Sequence, residues 1–318
     1  NIHGLRFKHG KSENTKVWCN EKLEDYPYLS YEIFNSERDE PLDKKVTGSL
    51  YNLGIFGISV VTSRGCPFSC TYCNNRSFMD ILGGPKHYLR KYSPGRAVNS
   101  IRELVVKYRP EFLEFIDEMF MKDSKWMNTF CAAYKKEIGL PFSINVRIDV
   151  CSERTIEMLA DCGLRVVFFG LECGDEEYRR SYLNRHMGND EILKGAAILR
   201  KHGILIVTYN MFGMPFENPD MLQKTFELNR ELQPDAVGAF IYQPLPGTKL
   251  GRLAYDNNLV QPPPPDHWDY LAPSLDSREL PAAYVEEQVT LFREEFDAPE
   301  RMHSLNRKLF KFVGREQA

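Results

Sequence analysis

The sequence predicts an α/β chain of six consecutive strand–helix units. Six short apolar runs alternate with amphipathic stretches between about residues 55 and 242, the rhythm of buried strands and surface helices. Every interval between the runs exceeds the dozen or so residues that a parallel crossover needs. A CxxxCxxC loop follows the first run directly, at the strand end where folds of this kind gather their chemistry.

The strands are expected over residues 55–62, 112–116, 142–146, 166–169, 204–210 and 236–242. After the cysteine loop a helix is expected over 97–108, where Val98, Ile101, Leu104 and Val105 recur at helical spacing. The next covers 124–138, and Gly139-Leu140-Pro141 ends it. Further helices follow at 153–161, 175–183, 190–202 and 219–232. Beyond Pro246 the rhythm stops. A proline run at 262–265 reads as a stiff connector, then an aromatic patch at 267–270 leads to helices at 282–296 and 299–313. Residues 1–50 carry short aromatic and charged alternations that suggest a small hairpin and an entry or linker segment, so the expected division is 1–50, 51–248 and 249–318.

With 318 residues the chain can bury a sizeable core. A net charge of -3 argues against recognition of nucleic acid through a strongly basic surface. No apolar run reaches the length that spans a bilayer and no signal-like segment is present, so a cytoplasmic location is expected. Eight cysteines, three of them clustered, fit a reducing compartment better than a disulfide scaffold. Cys19, Cys131, Cys151, Cys162 and Cys173 lack ligand-like spacing and read as core. The first residue, Asn1, is read as a start inside a longer polypeptide.

Cys66, Cys70 and Cys73 can place three thiolates around one inorganic centre and leave a fourth position without a protein ligand. Zinc held by these thiolates, or three buried free thiols, is the plainer alternative. Structural zinc, however, takes four protein ligands, and no fourth cysteine or histidine sits nearby.

The spacing, with Tyr72 just before the third cysteine, resembles the signature of the radical SAM superfamily. The resemblance runs from about residue 52 to 248 and implies a partial (β/α)6 TIM-like barrel; the tail beyond it, which the resemblance covers only loosely, reads as a helical C-terminal extension expected to cap the open side. It implies that Cys66, Cys70 and Cys73 hold a 4Fe-4S cluster, that S-adenosylmethionine completes the fourth iron, and that Tyr72 lies beside the adenine. In such enzymes the cofactor does the hard chemistry and the protein positions it.

Further segments carry the resemblance in chain order. Asp117-Glu118 after the second strand resembles an acidic motif in which one acid accepts from the S-adenosylmethionine ammonium; a helix N-terminal acid is the alternative. Arg147 after the third strand can take a carboxylate in a bidentate fork, with Asp149 orienting it or capping the next helix. A surface ion pair between the two is the other reading. Gly170-Leu171-Glu172 resembles the strand-four segment in which glycine permits close approach and the acid accepts from both ribose hydroxyls. Gly213-Met214-Pro215, followed by Glu217, resembles the turn beside the adenine. Tyr242-Gln243 precedes a proline and glycine segment that resembles the cobalamin-dependent subgroup, and these two side chains are expected to reach substrate or adenine.

The resemblance therefore implies a radical SAM enzyme with a small-molecule or natural-product substrate and an external electron donor. Cobalamin-linked methyl transfer to an unactivated carbon is the first reading. No Asp-x-His-x-x-Gly segment occurs in the chain, so either a cobalamin domain lies outside this sequence or the protein works without cobalamin. A cyclase or oxidase without methyl transfer is the second reading. A non-catalytic iron–sulfur electron carrier is the third, and the missing fourth ligand counts against it.

Overall fold

The computed structural model describes residues 22–28, 55–120, 124–260, 272–297 and 299–314. Six strands form one parallel sheet: β1 (Gly57–Val60), β2 (Phe112–Phe115), β3 (Phe142–Val146), β4 (Leu164–Glu172), β5 (Leu205–Phe212) and β6 (Ala236–Ile241). Each strand pairs with its neighbours in chain order, so β1 and β6 stay at the two edges. The result is a curled half-barrel, the partial TIM-like architecture that the six-strand rhythm implies. Because all six strands run the same way, their C-terminal ends share one rim.

The crossovers are α1 (Asn75–Ile81) and α2 (Pro94–Tyr108) after β1, α3 (Ser124–Glu137) after β2, α4 (Glu153–Cys162) after β3, α5 (Glu176–Ser181) and α6 (Asn189–Lys201) after β4, and α7 (Pro219–Leu232) after β5. Their starts follow local chemistry. Ser93 caps α2 ahead of Pro94, Ser152 caps α4, Asp175 caps α5 and Asn218 caps α7, each accepting from a backbone N–H in the first turn. After β6 come α8 (Lys249–Asp256), α9 (Ala282–Phe296) and α10 (Pro299–Phe312).

Alternate residues of the strands face two different cores. Val167, Phe169 and Ile206 join Ile101, Phe130 and Leu159 of the helical layer on the convex side. Their neighbours Val166, Phe168, Leu205 and Val207 join Leu305 and Leu309 of α10 on the concave side, together with Ile55 and Phe112. Helix α9 packs Val285, Val289 and Phe292 on Phe212, Ala239 and Ile241, where the convex faces of β5 and β6 need cover. The C-terminal extension therefore works at two places, outside on the last strands and inside at the strand starts.

Three expectations needed correction. β4 extends past 166–169 to Glu172, because pairing with β5 continues through Gly170 with a register shift before Glu172. Helix α1 was not expected; its polar start and the Gly83-Gly84-Pro85 that follows read as loop. Nor was α8, since Pro244, Pro246 and Gly247 mask a helix that Thr248 caps. The expected hairpin, the proline run and the aromatic patch at 267–270 lie outside the described residues; within 22–28, Leu23–Asp25 form a single 3-10 turn.

A buried polar network ties β5 to α7. Asn229 accepts from Thr208 Oγ1 at 2.8 Å and donates to Asn210 Oδ1 at 2.9 Å, while Asn210 Nδ2 donates to Thr208 Oγ1 at 3.2 Å. All three side chains are fully buried. Asn229→Ala should lower stability by about 1 to 3 kcal/mol, the cost of leaving such groups unpaired. Urea denaturation measures it.

Candidate active site

The rim at the C-terminal strand ends encloses a cavity of about 250 Å³. Cys66, Cys70, Tyr72 and Cys73 line it from the loop after β1, Asp117 and Glu118 from the end of β2, Arg147 from β3, and Gly170 and Glu172 from β4. Arg185 lines it as well. Phe68 and Met119 also border a second, largely apolar cavity of about 540 Å³, shared with Pro67, Met127 and Val150.

All three loop cysteines are free thiols. Burial pushes Cys66 up to about 11 and raises Cys73, so metal has to displace their protons. Among the described residues no three His, Cys, Asp or Glu side chains converge on a single-ion position. The cysteines instead border a shared space, which suits a polynuclear cluster with each thiolate on its own iron better than the tetrahedral point that zinc requires.

Glu172 sits at φ 69°, in the left-handed region, and folds its carboxylate back over Gly170. A Cβ at Gly170 would lie 1.9 Å from Glu172 Oε1. The Tyr72 hydroxyl donates to that oxygen at 2.7 Å. Burial raises the Glu172 pKa, while Arg185 and the Tyr72 hydrogen bond pull it back. Glu172→Ala should weaken S-adenosylmethionine binding by about 1.5 to 3 kcal/mol, the worth of a charged hydrogen-bonding group. Gly170→Ala should produce a loss in the same direction, by displacing the carboxylate while leaving its chemistry unchanged; calorimetry on both variants checks this, and unchanged affinity in both removes Glu172 from the site.

The two acids after β2 take different positions. Asp117 is fully buried and accepts from Thr62 N at 3.1 Å, Thr62 Oγ1 at 2.8 Å and Ser63 Oγ at 2.5 Å. It fastens the end of β2 to the start of the cysteine loop. Glu118 is exposed and accepts from Gly65 N at 3.2 Å. Arg147 forms a two-pronged pair with Asp149, at 3.0 and 2.6 Å, and lies 3.9 Å over the Phe68 ring. Asp149 thus orients Arg147, and Ser152 caps the helix.

Gly213 and Tyr242 are not brought to this cavity. Gly213 adopts φ 75° and packs against Val285 of α9. Tyr242 is enclosed with Cys173, Tyr178, Met214 and Leu250. Gln243 donates to the carbonyl of Ala272 at 2.8 Å.

Arg185 went unforeseen. The loop after α5 is stitched to the cysteine loop: Thr71 N donates to Leu183 O at 3.2 Å, and Asn184 Nδ2 donates to Ser69 O at 2.9 Å. Arg179, fully buried, closes the base of the excursion by donating to Cys173 O at 2.5 Å and Met187 O at 3.3 Å. Arg185 is thereby delivered against Tyr72, at 3.2 Å, and donates to Gly170 O. A lone arginine in an aperiodic loop carries no sequence signal of this.

The model of the radical SAM superfamily matches residues 60–228, more than half of the chain. The chain belongs to the radical SAM superfamily. An uncharacterized methyltransferase of Pyrococcus horikoshii is 24% identical over 81% of this radical SAM chain and 53% of its own length. The anaerobic magnesium-protoporphyrin IX monomethyl ester cyclase of Rubrivivax gelatinosus is 25% identical over 59% of the chain and 33% of its own. The chain thus spans about half or less of the length of these curated relatives. Among solved structures, the radical S-adenosylmethionine methyltransferase TsrM of Kitasatospora setae, with cobalamin and a [4Fe-4S] cluster bound, shares the fold at a TM-score of 0.56 and 17% identity, over 75% of this chain and 44% of that one. Among the described residues no helix is long and apolar enough to cross a membrane.

Proposed function

We propose that this chain is the radical SAM part of a methyltransferase that acts on an unactivated carbon of a small molecule, with cobalamin as the methyl carrier. The observation that carries the S-adenosylmethionine site is the convergence of three free thiols, Glu172 and two arginines on one cavity at the C-terminal rim of the sheet. Methyl transfer draws on the Pyrococcus horikoshii relative, and cobalamin on the likeness of fold to TsrM.

In this reading Cys66, Cys70 and Cys73 hold a 4Fe-4S cluster. When bound, the cluster supplies the electron that cleaves the sulfonium of S-adenosylmethionine, with an external carrier as the source. Glu172 accepts from the ribose hydroxyls, and Tyr72 stands beside the adenine while fixing the Glu172 carboxylate. Asp117 is fully buried and engaged by Thr62 and Ser63, so the exposed Glu118 takes the ammonium. Arg147, braced by Asp149 and Phe68, faces the same cavity and meets the carboxylate. The larger cavity beyond Phe68 offers apolar walls to a substrate.

The test is anaerobic reconstitution of the full-length protein with S-adenosylmethionine and a strong reductant, reading 5'-deoxyadenosine and cobalamin content. Cleavage that depends on the three cysteines, in a protein that binds cobalamin, is expected. Iron-loaded protein without cleavage overturns the catalytic reading. Cleavage without cobalamin favours the second reading, a cyclase or oxidase, which the Rubrivivax gelatinosus relative supports.

A further inference from the structure

Of the three loop cysteines, Cys70 is treated differently by its surroundings. Arg185 Nη1 lies 3.8 Å from Cys70 Sγ, within reach of a hydrogen bond to sulfur. Among the described residues neither Cys66 nor Cys73 has such a charged donor. The same Nη1 is 3.2 Å from the Tyr72 hydroxyl and 3.9 Å from Glu172 Oε1. The Arg185 and Glu172 side chains are 4% and 10% exposed, so water does little to screen their charges. Nε of Arg185 is buried without a partner, which marks the guanidinium as held by its Nη groups alone.

We propose that Arg185 sets the reduction potential of the cluster, donating a charge-assisted hydrogen bond to the Cys70 sulfur, with Glu172 as the counter-charge that limits its effect. This rests on the reading of the three cysteines as cluster ligands. Reduction adds one electron, and with it negative charge, to the thiolate-bound cluster. A donor on the sulfur and a fixed positive charge beside it favour the more negative state, and so raise the potential. A carboxylate beside the same Nη1 works against this. Arg185 is thus a positioning and tuning residue whose partner is a ligand sulfur, and its removal and that of Glu172 should move the potential in opposite directions.

The experiment compares full-length wild-type protein with Arg185→Gln, Arg185→Lys and Glu172→Gln, each reconstituted anaerobically without S-adenosylmethionine. Each is poised over a range of potentials, the reduced fraction is read by electron paramagnetic resonance, and iron and sulfide are counted. At the wild-type midpoint, Arg185→Gln should lower the ratio of reduced to oxidised cluster about tenfold, the lower end of the worth of a hydrogen bond to a charged group. That equals a midpoint about 59 mV more negative for a one-electron couple. Glu172→Gln should move the midpoint upward, and Arg185→Lys, which keeps the charge, should lie between wild type and Arg185→Gln. Coincident midpoints for wild type and Arg185→Gln, or shifts of both charge-removing variants in the same direction, overturn the assignment. If Arg185→Gln takes up no iron, Glu172→Gln decides alone, and an unchanged or lowered midpoint overturns it. A wild-type protein that takes up no cluster sinks the cysteine reading and this proposal with it; a loaded wild type with unmoved variants sinks only the role of Arg185.

Discussion

Cys70→Ala is expected to abolish cluster uptake, seen as loss of bound iron and sulfide after anaerobic reconstitution and as loss of S-adenosylmethionine cleavage. The expectation follows from ligand number. Three thiols from one loop border the cavity, and two cannot hold a cluster that already leaves one iron to another ligand. Among the described residues no spare cysteine is placed to substitute: Cys173 is fully buried among Tyr178, Leu183 and Met214, and Cys131, Cys151 and Cys162 lie in the convex-side core. The substitution removes one sulfur atom, so the circular dichroism should stay that of the wild type. Cys162→Ala serves as the control and should retain its iron. Full iron content in Cys70→Ala would sink the ligand assignment.

The second large effect is expected at Glu217, through pH. Its carboxyl is 1% exposed at the turn after β5, where Oε2 accepts from Gly213 N at 2.8 Å and Met214 N at 3.0 Å. Burial pushes its pKa from 4.5 up to about 8, against the pull of those two hydrogen bonds. Between these values the folded chain keeps a proton that the unfolded chain has released. Stability attributable to this group is therefore full below the unfolded value, falls as pH rises, and levels off above about 8. Glu217→Gln has no proton to lose. Its stability relative to wild type should grow on the order of 4 kcal/mol between pH 5 and 8, because other titrating groups cancel in the difference. Denaturant midpoints measured across that range give the answer, and parallel curves for the two proteins would show that the carboxyl is ionised in the fold.

What was legible in the sequence was local. The CxxxCxxC spacing and its place after the first strand need only a dozen residues to be seen. Gly170-Leu171-Glu172 is similarly compact, and its geometry explains the glycine: the carboxylate occupies the space a side chain would need. Strand order was legible too, since a parallel sheet built from consecutive crossovers has few other arrangements. Arg185 was not, because its partners Cys70, Tyr72 and Gly170 are gathered by the docking of one loop on another. Gly213 and Tyr242 show the converse. Both sit in glycine and proline turns of the expected kind, yet the packing of α9 and α8 determines what they touch, and neither helix could be read from the turn itself.

The position of α10 has a consequence for synthesis. Leu305 and Leu309 share a core with Ile55 and Phe112, which lie far before them in sequence. When all six strands have left the ribosome, the strand starts on the concave side still lack their lining, and they stay bare until α10 emerges. A nascent chain would thus carry an exposed apolar trough from the emergence of the strands until α10 follows. The convex layer can consolidate from its own crossovers as they appear. The concave one must wait for α10, which makes the docking of that helix the step that completes the half-barrel.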